Sequence, residues 1–491
     1  MSRSPQRIVF RADASTAIGA GHVVRCATLA AELAARGAAI HFICRSLPGD
    51  YCEWLEKRGF GVIRLNTENL DEDIAASRTA LAMLGQVDWL VVDHYGLHAQ
   101  WEQALRPLAD KLMVIDDTAD RPHDCDLLLD QNLVAGAAER YARLLPPRAE
   151  RLLGPRYALL PPAFAAARTM RRAVDGEVRR VLVCFGGSDP LGHTLAALGA
   201  LRAYSSRFVQ IDVVVGPANP ARAPIAAACQ GLPATLHSPA ENMAGLLAKA
   251  DLAIGAGGTM NWERACIGVP ALAFGIAENQ RPVLEAMIEG GYTVGTPLMR
   301  TPDHEGIAAW LAVLLTSPPL LRGLSERSRA LVDGQGTRRV ADRLLPVPLI
   351  FRSARTDDCA DLLRWRNHPA IRAVSHDQTE INEATHTAWL ERTLDDSRRL
   401  LLIAERKGEA VGVVRFDLDT PQAFISVYRV PESTERDGLI RAASDWIAGQ
   451  RPEIRRIVAE VLPDNVASLA AFHAAGYRDR KYTLTLELEK Q

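Results

Sequence analysis

Apolar and polar positions alternate along the first third of the chain in two rhythms that take turns. RIVFRAD (7–13), AIHFICR (39–45), VDWLVVDHYG (87–96) and KLMVIDD (111–117) are short, nearly continuous apolar runs. Between them, HVVRCATLAAELAARG repeats its apolar residues at helical spacing and stops at Gly37. YCEWLEKRG (51–59) gives a shorter helix, and GVIRL a further strand. Strands without a polar face, separated by helices, predict a parallel sheet covered on both sides. Asp13, Asp93 and the Asp116–Asp117 pair fall at the carboxyl ends of these runs, where open α/β sheets bind ligands.

The same plan returns after LLGPRYALLPP (152–162), which reads as a Pro-rich linker. RRVLVCFGGSDP (179–190), FVQIDVVVGPANP (208–220) and ADLAIGAGGT (250–259) are apolar runs ending in glycine turns, and 306–343 reads as helical. From PVPLIFRSA (346–354) the texture changes. LLLIAER and AVGVVRFDL form a hairpin pattern, followed by AFISVYRV, a helix over 439–449, a strand over 455–462, a helix over 465–475 and a strand over 482–489. The expected fold class is α/β: two Rossmann-like lobes, residues 1–155 and 156–345, and an α+β domain over 346–491. A two-lobed arrangement places a site in the cleft between lobes.

Composition then excludes classes. A chain of 491 residues with formal net charge -2 carries no electrostatic footprint for nucleic acid. No window approaches a membrane span, and the N-terminus lacks the pattern of a signal peptide, so a cytoplasmic protein is expected. Its 8 cysteines include no CxxC pair, which fits buried thiols in a reducing compartment and no metal site. Oligomeric state is not legible.

Three glycine turns carry candidate chemistry. GAGH (19–22) follows a strand and opens a helix, so Gly19 and Gly21 permit close approach of an anion to free N–H groups. His22 stands where such a loop needs only glycine. A helix N-terminus disfavours the cationic imidazole, and a neutral imidazole beside a phosphate suits activation of water. Capping the helix or bonding a phosphate is the plainer role. FGGSD (185–189) places Gly187 and Ser188 at a second turn, with Ser188 and Asp189 as helix caps. In GAGGTMNWERACIGVPALAF (255–274), Gly258 and Thr259 suit a diphosphate, and Glu263, on the first helical turns, suits the two hydroxyls of a ribose. Asn279 and Gln280 in ENQ add amides for sugar or diphosphate.

FRADASTAIGAGHVVRC, VVDHYG, IDD, CDLLLDQN, FGGSD, GAGGTMNWERACIGVPALAF and ENQ, in this order, resemble the UDP-diacetamido-trideoxy-altropyranose hydrolases of pseudaminic acid biosynthesis, across roughly residues 6–340. That family resembles the two-lobed GT-B glycosyltransferases, particularly the one that makes lipid II. The resemblance implies attack of water on the anomeric carbon of a UDP-sugar, without a metal. It assigns His22 as the base, Glu263 to uridine and ribose, and Asn279 and Gln280 to the NQ pair. Asp13, Gly21, Asp93 and Tyr95 would line the sugar side, and Arg25 would also bind the substrate. Gly192 replaces the family's Asn, whose contact would pass to His193 or Thr194.

Across 349–490, FRSARTDDCADLLRWRNHPAIRAVS, AVGVVRF, FISVYRVPE and DNVASLAAFHAAGY resemble a GNAT-type N-acetyltransferase, nearest to the one that acetylates the 4-amino group of a UDP-amino sugar. Acetyl-CoA is the cofactor this implies, met by Asn465 and by the backbone from Ser426 to Val430, Val427 and Val430 included. Gly438 would be the central glycine of the pyrophosphate turn and Asn367 would lie near the sugar. Glu435 and Ile440 depart from that turn's pattern, and Phe472 stands where a Tyr proton donor is common. The alternatives are a GT-B glycosyltransferase using a UDP-amino sugar, a silent nucleotide-sugar-binding protein, or a hydrolase whose last domain only docks.

Overall fold

The computed structural model describes residues 5–478, except 188, 217, 218, 239, 241, 346, 347, 376, 407, 432, 434–437, 463 and 464. Ser188, Glu435 and the strand expected at 482–489 therefore lie outside the described residues. The chain divides into two compact units, Met1–Pro346 and Val347–Gln491.

In the first unit, strands β1 (Arg7–Ala12), β2 (Ala39–Arg45), β3 (Gly61–Leu65), β4 (Val87–Asp93), β5 (Ala109–Ile115), β6 (Leu127–Asp130) and β7 (Glu150–Leu153) form a parallel sheet in the order β3-β2-β1-β4-β5-β6-β7. A second parallel sheet follows: β8 (Arg180–Cys184), β9 (Gln210–Val214), β10 (Ala234–His237), β11 (Leu252–Ala256), β12 (Ala271–Phe274) and β13 (Val294–Thr296), ordered β10-β9-β8-β11-β12-β13. The apolar runs are buried on both faces: Val9 and Leu90 point into one core, Phe10 and Val91 into another. In each sheet the order reverses beside the first strand, between β1 and β4 and between β8 and β11. That reversal opens a crevice at the strands' carboxyl ends. GAGH follows β1, FGGSD follows β8 and GAGGT follows β11, so all three turns sit at these two switch points.

Two passages differ from the sequence reading. LLGPRYALLPP is not an open linker. Its first residues complete β7, and Ala158, Leu159 and Leu160 are buried. The last helix of the unit, Gly336–Leu344, lies with the first lobe, its Val340, Ala341 and Leu344 in the core beside Leu29 and Leu33. Arg36 ties it down through Asp342 at 2.5 Å. Burial of that apolar stripe, rather than proximity in sequence, decides which lobe the helix joins.

In the second unit, β14 (Ile350–Ser353), β15 (Arg399–Arg406), β16 (Glu409–Asp419) and β17 (Gln422–Arg429) pair antiparallel in sequence order, and β18 (Arg456–Ala459) adds to β17 in parallel. Alternation splits the strands between two cores. Leu402, Val414 and Phe416 meet the helices Leu439–Gln450 and Val466–Ala474, while Leu401, Ile403 and Val413 meet Cys359–Asn367 and Glu383–Asp395.

Candidate active site

The helix Gly21–Ala35 begins without a side-chain cap, and a Cβ at Gly19 or Gly21 would meet nothing within 4 Å. The turn thus presents bare backbone to open space. Behind it, His22 Nδ1 lies 2.6 Å from Asp93 Oδ1, at the end of β4. Asp93 accepts nothing from solvent. It is 0% exposed and is clamped by Arg25 through Nε at 2.6 Å and Nη2 at 2.7 Å. Burial alone would push the Asp93 carboxyl up, but Arg25 and His22 hold it well below the usual carboxylate range. An ionised carboxylate on Nδ1 takes that N–H and leaves the Nε2 lone pair to accept a proton.

Two substrate-side assignments change accordingly. Arg25 is buried and uses its third nitrogen on Asp117 at 3.0 Å, so it holds Asp93 rather than a ligand. Asp93 spends both oxygens on His22 and Arg25. Asp13 changes as well. Its side chain is fully buried, bonded to Arg11 at 2.5 Å, to the Arg45 backbone N–H at 2.8 Å and side chain at 2.6 Å, and paired with His94 at 3.2 Å. Three cationic or polar partners on a 0% exposed carboxylate make it an anchor for the floor of the cleft. Of the Asp116–Asp117 pair expected at the end of β5, Asp117 is the member that faces the cleft residues. It pairs with Arg25 and stands beside Tyr95, whose phenol burial and Asp117 together push up to about 12.

Tyr95 is 42% exposed, meets the His22 ring edge-on at 4.6 Å between centroids, and accepts a hydrogen bond from Asn279 Nδ2 at 3.3 Å. This bond brings the second lobe onto the first, so His22, Tyr95 and Asn279 share one cleft. Around it the second lobe exposes Gly187 and Thr259 and half-buries Gly258, Glu263 and Gln280. Gln280 accepts from the Ile276 N–H at 3.0 Å and stands against Gly258. Glu263 makes no hydrogen bond to a described residue, and burial pushes its carboxyl up to about 7.

At the second turn, Asp189 caps the helix His193–Arg202, accepting from the N–H groups of His193 at 3.0 Å and Thr194 at 2.7 Å. Gly192 precedes that helix with φ +81, a left-handed conformation that Gly and Asn tolerate best. His193 and Thr194 are 1% and 0% exposed, so neither side chain inherits a ligand contact at this turn. Asp116 is likewise internal, accepting from the Ala119 N–H at 2.8 Å and Tyr141 Oη at 3.0 Å. Among the described residues, no group of three or more His, Cys, Asp or Glu side chains could hold a metal ion, and no single helix is long and apolar enough to cross a membrane.

In the second unit, β17 and β18 pair only from Gln422 to Ile425, after which β17 continues unpaired on that side. The Val430 N–H bonds Val411 O on β16 at 3.1 Å, so alternation turns the backbone of Val427 toward the open edge. Val430, its N–H used and its side chain buried, is not available to a cofactor there. Gly438 caps the helix Leu439–Gln450 at φ +88, exposed and without a side-chain cap. Ile440 does not crowd this turn; it packs onto the apolar cluster of Leu439 and Ala443. Among the described residues no side chain caps that helix start, an arrangement that suits an anion such as the pyrophosphate of acetyl-CoA. Asn465 uses its oxygen on the Ser468 N–H at 3.1 Å, and Asn367 bonds the Ile381 backbone at both ends, 2.7 and 2.9 Å. Asn367 braces a loop instead of facing a sugar. Phe472 is buried against Tyr477, their ring centroids 5.0 Å apart.

Residues 348–478 match the family model of the acetyltransferase (GNAT) domain. Over the preceding unit, the structure of MurG from Acinetobacter baumannii superposes with a TM-score of 0.51 at 16% identity, covering 69% of this chain and 99% of that one. The chain joins two GT-B-type lobes to a GNAT-like domain. It is 32% identical over 192 residues, 38% of its length, to the spore coat polysaccharide biosynthesis protein SpsG of Bacillus subtilis. It is 28% identical over 184 residues, 37% of its length, to the UDP-2,4-diacetamido-2,4,6-trideoxy-beta-L-altropyranose hydrolase of Campylobacter jejuni. The chain spans 56% and 61% of those relatives' own lengths.

Proposed function

We propose that the first unit hydrolyses a UDP-linked 2,4-diacetamido-2,4,6-trideoxyhexose, of the altro configuration named for the Campylobacter relative, to UDP and the free sugar, as a step toward pseudaminic acid. The observation that carries this reading is the His22–Asp93–Arg25 chain opening on the cleft. Water bonded to His22 Nε2 gives up a proton as its oxygen bonds the anomeric carbon. The bond from that carbon to the diphosphate breaks, and its electron pair leaves with UDP. UDP is a competent leaving group, so a base and N–H donors suffice. The bare turns at Gly187 and Gly258–Thr259 are suited to the diphosphate, Glu263 to the ribose hydroxyls, and Tyr95, Asn279 and Gln280 to the sugar.

For the second unit the reading is transfer of an acetyl group to the amino group of a UDP-amino sugar. Acetyl-CoA supplies the activated acyl group. The start of the helix Leu439–Gln450 would hold its pyrophosphate and the unpaired edge of β17 at Val427 its chain.

UDP release from the altro-configured substrate, with EDTA and without acetyl-CoA, tests the first reading. Wild-type turnover that His22→Ala abolishes, with UDP affinity within about twofold, is expected. Equal loss of turnover and UDP affinity would make His22 a binding residue. UDP binding without release would redirect the assignment to a transferase awaiting its acceptor.

A further inference from the structure

The two turns assigned to the diphosphate, FGGSD and GAGGT, contain no Lys or Arg. From these turns a dianionic ligand would meet backbone and hydroxyl dipoles and no full positive charge. Directly behind them, however, lies a cation. Arg264, on the helix Met260–Ile267 that GAGGT opens, is 2% exposed. Its Nη2 donates to the Ala256 carbonyl at 2.7 Å and to the side chain of Asn261, which in turn donates to the Gly257 carbonyl at 2.7 Å. Its Nε and Nη1 are buried with no hydrogen-bond partner, and no carboxylate pairs with it among the described residues. The nitrogen Nη1 lies at the base of the turns. A Cβ at Gly255 would come within 3.5 Å of it and within 1.9 Å of the Cys184 carbonyl, where β8 and β11 run side by side.

A buried guanidinium with two idle nitrogens and no counter-charge is costly, and such charges are normally paired. Its acidic neighbours are the Cys184 thiol, which burial pushes up to about 11, and Glu263, whose carboxyl burial pushes up to about 7 and which makes no bond to it. The missing negative charge is therefore sought in a ligand.

We propose that Arg264 is the fixed cation of a diphosphate site at the two glycine turns of the second lobe, left uncompensated in the free protein and neutralised by the ligand's diphosphate. Arg264 is a positioning residue: it pins the GAGG backbone that faces the anion and supplies long-range attraction without touching it. This rests on the nucleotide-binding reading of the second lobe.

Calorimetric titration of the full chain with UDP, inorganic pyrophosphate and uridine separates the two ideas. Arg264→Met and Arg264→Gln are expected to weaken UDP and pyrophosphate by about tenfold or more, the scale of a nearby full charge at an effective dielectric of about 20. Uridine affinity stays within about twofold, and Arg264→Lys restores most of the loss. The ligand-free thermal midpoint of Arg264→Gln holds or rises. Arg264→Gln keeps a donor for the Ala256 carbonyl and carries the test if the Met variant does not fold. Equal loss for all three ligands, or undiminished pyrophosphate binding, would overturn the proposal. Wild-type protein that binds pyrophosphate but not UDP removes the nucleotide reading and leaves the anion site standing; binding of neither overturns both.

Discussion

Asp93 Oδ1 sits 2.6 Å from His22 Nδ1, and the same carboxylate is gripped by Arg25 on both oxygens. The imidazole is therefore oriented from behind by a buried, ionised group, with its other nitrogen left for the cleft. Asp93→Asn keeps the shape but offers an amide in place of the acceptor that selects the tautomer. Turnover is expected to fall by roughly 10³ to 10⁴, the scale seen when an orienting carboxylate is neutralised. Arg25 keeps Asp117 as a counter-charge, so the loss of stability stays below the about 3 to 5 kcal/mol of a buried charge left wholly unpaired. UDP release under saturating substrate and a denaturant titration read the two effects; unchanged turnover would detach Asp93 from the mechanism.

Glu263 gives a pH dependence with a definite sign. Burial holds its carboxyl at about 7 in the ligand-free protein, above the ordinary carboxylate value. The native state thus binds a proton that the unfolded chain releases at lower pH. This group's contribution to stability is full at acidic pH and is lost as pH rises toward 7. Ribose hydroxyls need the ionised form as acceptor, so UDP affinity should rise as pH climbs through 7. Glu263→Gln removes that slope. Titrations with UDP at several pH values in wild type and variant check it, and parallel slopes would refute the assignment.

At the acetyltransferase-like helix, Gly438→Ala places a Cβ at φ +88 and is expected to cost about 1 kcal/mol, with weaker CoA binding. Ile440→Val should leave CoA affinity unchanged and lower stability by about 0.5 to 1.5 kcal/mol, since that side chain packs inward. Improved CoA binding by Ile440→Val would show that the side chain obstructs the turn after all. Thermal shifts with and without CoA measure both.

Gly192→Asn should leave stability within about 0.5 kcal/mol, whereas Gly192→Ala should cost about 1 kcal/mol, because the position demands left-handed backbone. Chemical denaturation decides. Equal losses for both variants would mean the site needs absent side-chain volume rather than φ.

The period of the apolar runs determined a great deal without any structure: the parallel sheets, the three glycine turns at strand ends, His22 at a helix start, and the change of architecture near residue 346. These are local properties, since a strand's burial on both faces and a turn's need for glycine are written in adjacent residues. Tertiary structure decided which charges face one another. Asp13, Arg25 and Asp93 are read alike from sequence, as polar residues near strand ends and a helix start, yet one anchors the floor, one grips its neighbour and one orients the histidine. Arg264 follows Glu263 directly and turns into the protein, while the destination of the helix Gly336–Leu344 depends on a hydrophobic face some 300 residues away. Pairing and burial at such separations depend on where strands and helices converge, and no spacing within a single segment encodes that.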